Sequence, residues 1–219
     1  MVDEYLSERE QAEQLRHWVR ENWLWLVTGV AIGLGGIYGY RWWDAHQNAR
    51  SLEAEQRFSA MLDALTRQQK DESLRLAGEI TGEYSDTPYA DQATLVLARV
   101  DVESGDFAQA ATRLQQVMDG SRDPELALVA RLRLARVQMA QAKYDEALAT
   151  LDGVKVPELE ARVAELRGDV LLARGERAAA LDAYRKAQAA TKADAGDGLV
   201  DREMLGLKIE ELAAATAAN

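Results

Sequence analysis

Hydrophobic and polar positions divide the chain into two unlike parts. From Asn22 to Tyr40, 19 consecutive residues carry no charge, whereas from about residue 51 onward apolar positions recur in helix-length amphipathic stretches. As an α-helix the first stretch would run about 28 Å, close to the roughly 30 Å hydrocarbon thickness of a bilayer. The pattern predicts an all-α protein in which a single N-terminal transmembrane helix precedes a helical domain.

Aromatic residues favour a membrane span over the alternative, a core helix of a soluble protein. Amphipathic rings prefer the two membrane interfaces, where they sit at headgroup level. A cleaved signal peptide fits less well, because a polar, acidic stretch precedes the apolar segment and no small-x-small cleavage site follows it. We therefore predict a polar tail at 1–21, whose cytoplasmic location only the resemblance described below implies, and an uncleaved anchor at 22–43. The predicted interfacial anchors are Trp18, Trp23 and Trp25 at one end and Trp42 and Trp43 at the other.

Small residues recur along the anchor at a spacing of four. Such residues on one helix face allow another helix to approach closely, although glycine is also simply common in membrane helices. Both interpretations stay open. The candidate helix–helix face consists of Ala31, Gly35 and Gly39 with a second pair, Gly29 and Gly33.

The soluble part contains an internal repeat. Its prolines, Pro88, Pro124 and Pro157, are separated by 36 and 33 residues, and a series of short turn sequences starting at residues 105, 142 and 175 recurs at 37 and 33. Small residues recur on both sides of these turns, where they would allow two helices to cross closely. Each unit is therefore predicted to be a helix, a tight turn and a second helix, and several units must stack to bury their apolar faces.

The third unit reads GDVLLARGERAAALDAYRKA at residues 168–187, which closely resembles a tetratricopeptide repeat. Residues 134–148 resemble the motif nearly as well, whereas residues 51–88 match it only loosely. The resemblance implies a solenoid of α-hairpins. The expected organisation is a juxtamembrane region and degenerate first hairpin at 44–90, three repeats at 91–190, and a linker with a C-terminal capping helix at 191–219.

Tetratricopeptide arrays normally offer a concave groove made by the first helix of each hairpin. The groove predicted here could bind a partner segment with acidic and apolar features. The alternative is that its apolar members are partly core and its arginines pair with neighbouring carboxylates. The repeat alignment assigns to this groove Arg99, Arg136 and Asp169, and three residues further on Val102, Met139 and Leu172.

Composition argues against most other functions. A formal charge of −11 has the wrong sign for neutralising phosphates, so nucleic acid is not an expected partner. The chain has no cysteine and two histidines, and it contains no recognisable catalytic, phosphate-binding or metal-binding motif. Both histidines flank the predicted anchor, where an interfacial role is expected. We therefore predict no catalytic, cofactor-binding or metal site, and a protein that is not an enzyme.

The whole layout is similar to the YfgM-type ancillary subunits of the bacterial SecYEG translocon, most specifically in YLSEREQ at residues 5–11 and around Asn22-Trp23. The resemblance implies an inner-membrane protein with a cytoplasmic N-terminus and a periplasmic repeat domain. It also implies association with SecYEG and a PpiD-like membrane chaperone, with unfolded client proteins as further partners. Charge counting cannot supply this orientation, because three arginines precede the charge-free segment and three lie in the stretch that follows it, up to Arg57. The alternative function is a self-associating membrane tether or scaffold for another envelope complex.

Overall fold

The computed structural model describes residues 8–193 and 200–217, and every regular element within these ranges is helical. The first seven residues of the predicted tail and most of the predicted linker lie outside them. The helices are α1 (Glu8–Thr66), α2 (Lys70–Glu83), α3 (Pro88–Glu103), α4 (Phe107–Gly120), α5 (Pro124–Ala140), α6 (Tyr144–Asp152), α7 (Glu160–Arg174), α8 (Arg177–Ala193) and α9 (Arg202–Ala217), with a 3₁₀ turn at Pro157–Leu159 before α7.

The chain divides into two compact units, Met1–Leu52 and Glu53–Asn219. The described part of the first unit is one continuous stretch of α1. This stretch contains a segment long and apolar enough to cross a membrane, and none of its most apolar window is buried. Exposed apolar side chains on every face of a helix are costly in water and favourable in lipid. An all-α chain with one N-terminal candidate membrane helix confirms the predicted fold class.

Local sequence explains where the repeat helices begin. Pro88 and Pro124 occupy the first turns of α3 and α5, where a missing N–H costs no hydrogen bond. The side chain of Asp106 accepts a hydrogen bond from the Gln109 backbone N–H at the start of α4. Asp123 caps α5 in the same way. These residues satisfy N–H groups that the first helical turn leaves without a partner.

The turn inside each hairpin requires a left-handed backbone at one position. Gly105, Ala142 and Gly175 have φ values of 81°, 58° and 93°. Glycine adopts this conformation without a steric penalty, whereas alanine does not. The recurrence at this position confirms that the three turn sequences are structurally equivalent.

Three hairpins, α3–α4, α5–α6 and α7–α8, form the repeat array, and each is closed by a small residue facing a large one. In the first hairpin Ala98 packs in one cluster with Leu114. In the second, Ala135 does so with Leu151, and in the third, Gly168 lies directly beneath the ring of Tyr184. The hairpins stack because each buries apolar surface against the next, so the core extends along the array.

The opening hairpin is built from the end of α1 and from α2. Met61 of α1 and Ile80 of α2 are fully buried in a cluster that includes Ala93 of α3. The Tyr84 hydroxyl donates a hydrogen bond to Glu53 over 2.9 Å and ties the end of α2 to α1. Burial and the Glu53 carboxylate together raise the pKa of this hydroxyl. The hairpin therefore covers the N-terminal end of the array.

Helix α9 covers the other end. Leu205 and Leu212 are buried in the same cluster as Tyr184 of α8. Leu207, by contrast, points to solvent with 55% of its surface exposed. It lies two residues after Leu205, and helical residues at that spacing do not share a face.

Candidate partner-binding groove

A groove opens between α3 and α5, the first helices of two successive hairpins. Its cavity is about 290 Å³. Ala98, Leu114 and Val137 are buried and form the apolar floor, and Val102 lies at the edge with 37% of its surface exposed. An apolar floor open to solvent is the usual character of a protein-binding cleft.

Three arginines, Arg99, Arg133 and Arg136, edge this groove. The Arg99 Nε donates a hydrogen bond to Glu103 over 2.8 Å, and both side chains are exposed. Such a pair contributes at most about 1 kcal/mol, so a partner carboxylate can replace Glu103 at little cost. Arg133 and Arg136 are exposed and form no ion pair with any residue that the structure describes. A chain of net charge −11 thus concentrates positive charge at one apolar groove.

The structure brings together only part of the groove predicted from the sequence. Arg99, Val102 and Arg136 line the cavity. Met139 is half-buried against the core cluster around Ala135, so it is largely a packing residue. Sequence reasoning missed Arg133, which lies three residues before Arg136 and therefore on the same face of α5.

The remaining predicted groove residues, Asp169 and Leu172, belong to α7 and do not line this cavity. Asp169 accepts hydrogen bonds of 2.8 Å from the Tyr184 hydroxyl and from Lys208 Nζ of α9. Lys208 Nζ also lies 3.1 Å from Glu165, which is buried. At the third hairpin, therefore, the chain's own cap helix satisfies the acidic side chains.

These contacts perturb the titration of the groups involved. Burial and the neighbouring Asp169 carboxylate raise the pKa of Tyr184 well above its ordinary value. Burial alone would lower the pKa of Lys208, but its hydrogen bonds and charge attraction with Asp169 and Glu165 raise it. Lys208 is therefore held in its charged form, as a cation that joins α9 to α7.

Other chemistry is sparse in the described ranges. Within residues 8–193 and 200–217 there is no group of three or more His, Asp or Glu side chains that could hold a metal ion. His17 Nδ1 lies 3.4 Å from the exposed Glu21 carboxylate. The His46 ring stacks on Trp42 at a centroid distance of 5.8 Å.

The anchor presents its tryptophans and glycines outward. All five predicted interfacial tryptophans are more than half exposed. A Cβ atom added at Gly29, Gly33, Gly35 or Gly39 would meet nothing within 4 Å, so this face is open to another helix. Its role in helix association stays a prediction, and crosslinking between two copies within the membrane would test it.

The fold and the groove together define a membrane-anchored helical-repeat protein of the protein-interaction class. The family model described as a tetratricopeptide repeat-like domain matches residues 16–214, which is almost the whole chain. Two relatives carry the name ancillary SecYEG translocon subunit. The one from Escherichia coli (strain K12) is 34% identical over 208 residues, covering 95% of this chain and 98% of its own. The one from Haemophilus influenzae is 32% identical over 185 residues, covering 84% and 89%. The chain belongs to this family of tetratricopeptide repeat-like ancillary translocon subunits.

Solved structures agree on the fold. MamA from Desulfovibrio magneticus RS-1, from residue 41 to its end, superposes with a TM-score of 0.51 at 16% identity, covering 76% of this chain and 96% of its own. A double mutant of the same protein gives 0.52 at 18% identity, covering 76% and 97%. At this identity the likeness supports the helical-repeat fold alone.

Proposed function

We propose that this chain is a non-catalytic ancillary subunit of the SecYEG translocon that binds partner proteins through the groove between α3 and α5. The observation that carries the proposal is the apolar floor edged by Arg99, Arg133 and Arg136 in a chain of the translocon-subunit family. Such a surface is complementary to a partner segment that carries carboxylates beside apolar side chains. A PpiD-like membrane chaperone is the partner we assign to it, with unfolded clients as a second class.

In this proposal the chain crosses the inner membrane once, with its N-terminus in the cytoplasm and the repeat domain in the periplasm. Anchoring beside the translocon raises the effective concentration of the groove toward membrane partners and emerging chains. The groove then needs only a modest intrinsic affinity to bind its partner. Exposed arginines are consistent with this, because exposed ion pairs are weak.

Two experiments test the proposal. Protease added to intact spheroplasts should digest the region after residue 50; protection until lysis, with a periplasmic control digested, would contradict the topology. Purification of the full chain in mild detergent should recover SecYEG and the chaperone.

The groove itself is tested by reversing its charge. The Arg133→Glu/Arg136→Glu double variant should lose most of the chaperone while keeping SecYEG contacts made elsewhere. A matched control is Arg177→Glu, because Arg177 is an exposed arginine at the start of α8, away from the groove. Equal chaperone recovery from all three proteins would refute the groove assignment.

A further inference from the structure

A second cleft lies at the end of α6, outside the groove described above. We call it the α6–α7 cleft. It has a volume of about 450 Å³. Its lining includes Val154 from the loop after α6, Val163 from α7 and Ala183 from α8. Volumes of this order accommodate ligands with several apolar groups.

The cleft exists because α6 stops early. Helix α6 has 9 residues, whereas the equivalent helices α4 and α8 have 14 and 17. Val154 is equivalent in the repeat to Val117 and Ala187, which are both buried inside their helices. Here Val154 lies beyond the end of the helix and is only half-buried. A missing turn or more of helix, at about 1.5 Å per residue, leaves Val163 of α7 only half-buried beside the cleft.

The local sequence keeps α6 short. Gly153, a poor helix former, follows its last residue. Pro157 then requires an extended residue before it, and Val156 is extended accordingly. Val156 and Pro157 therefore stop the helix from continuing over the cleft.

Cations converge on the rim of this cleft. Arg167 of α7 forms a hydrogen bond with Asp152, and Lys186 of α8 lies 3.1 Å from Glu160. Lys155, on the loop, is exposed and has no ion pair with any residue in the described ranges. The hydrogen bond from Arg167 holds the pKa of Asp152 below its ordinary value, and the charge of Lys155 acts in the same direction. The rim therefore carries an excess of positive charge.

From these observations we propose that the α6–α7 cleft is a second docking site, which takes a short acidic amphipathic segment of a partner protein. An apolar face of that segment fills the space that a longer α6 would occupy, and a carboxylate meets Lys155. The exposed Asp152 and Glu160 can yield their cations to further partner carboxylates, because exposed ion pairs are weak. Complementary charge then selects the partner against basic or purely polar segments.

A peptide-binding measurement tests the proposal. The full chain is placed in nanodiscs, and a labelled amphipathic peptide of leucine and glutamate is titrated, with empty nanodiscs as the baseline. We expect saturable binding that Lys155→Glu weakens about tenfold, and that Val156→Ser weakens to a smaller extent. Lys143→Glu, at the opposite end of α6, is the matched control and should bind as the unmodified chain does. A peptide with lysine in place of glutamate should not bind.

Several outcomes would overturn the assignment. These are no saturable binding, equal binding of the lysine peptide, or binding that Lys155→Glu leaves unchanged while Arg133→Glu/Arg136→Glu abolishes it. The last result would place the peptide in the α3–α5 groove. Circular dichroism of each variant ensures that a loss of binding is not a loss of fold. Recovery of SecYEG and the chaperone is scored separately, so failure here is distinguishable from failure of the proposed function.

Discussion

Replacing Gly168 by alanine should destabilise the repeat domain through one identifiable contact. A Cβ atom at this position would lie 2.4 Å from Cε1 and 2.5 Å from Cδ1 of Tyr184. Ordinary carbon contacts begin near 3.4 Å, so the ring would have to move by about 1 Å. It has little freedom to do so, because Tyr184 is fully buried and its hydroxyl is bonded to Asp169 over 2.8 Å.

The expected magnitude is a balance of two terms. Inserting a methyl group into a packed site costs about 1–3 kcal/mol. Replacing a glycine inside a helix by alanine returns about 0.5–1 kcal/mol. The net loss should therefore be up to about 2.5 kcal/mol, and a domain of this size should then melt up to about 10 °C lower.

Urea unfolding of the full chain in detergent, followed by far-ultraviolet circular dichroism, measures this loss. Tryptophan fluorescence would not serve, because all five tryptophans lie between residues 18 and 43, in the anchor region. The matched control is Gly78→Ala in α2, where an added Cβ meets nothing within 4 Å. This variant should gain about 0.5–1 kcal/mol.

A double-mutant cycle isolates the contact. In a Tyr184→Leu background the Gly168→Ala change should become neutral or stabilising, as expected from Ala98 and Ala135, which face leucines in the other two hairpins. If Gly168→Ala stabilised the unmodified chain as much as Gly78→Ala does, the packing argument would be refuted.

Two further predictions concern the turns and the cap. Ala142→Gly should stabilise the chain by about 1 kcal/mol, since Ala142 has φ of 58°, and a midpoint in urea that stays level or falls would contradict this. Lys208→Met should cost about 1.5–3 kcal/mol, because Asp169 loses its cation and the buried Glu165 keeps only Arg162. Since folding raises the pKa of Lys208, its contribution is fully present below the unfolded value of about 10.4 and is lost as pH rises through the higher folded value. The unfolding free energies of the two proteins should therefore begin to converge only as the pH rises above about 10.4, and a constant difference would argue against the linkage.

Much of the architecture could be predicted from the sequence, because the anchor and the hairpins depend on patterns among residues that are close together in the chain. A charge-free segment of bilayer length bordered by tryptophans predicts the anchor, and turn sequences of constant period predict the three hairpins. Equivalent left-handed residues at Gly105, Ala142 and Gly175 show that the period has a backbone cause. The large residues that face the small ones, Leu114, Leu151 and Tyr184, recur at the same spacing of 37 and 33 residues.

The residues of the candidate site could be predicted only in part from the sequence. A repeat alignment treats equivalent positions as if their surroundings in the structure were the same. Arg136 and Asp169 are equivalent in sequence, yet Arg136 edges an open groove while Asp169 is bonded to Lys208, 39 residues further along the chain. No local pattern predicts that pairing. Met139 likewise packs into the core because the neighbouring hairpin supplies a cluster for it.

The sequence by itself thus determined the class of the protein, which has a single candidate membrane helix followed by an all-helical repeat domain. These properties follow from the spacing of hydrophobic residues and from the residue types in the turns, both of which are patterns among residues close together in the chain. Only the tertiary structure decided which cations remain available for a partner, where Arg133 joins the groove and where the short α6 leaves a cleft. Those features depend on which helices meet, because burial and ion pairing are properties of neighbours in space and not of neighbours in the chain.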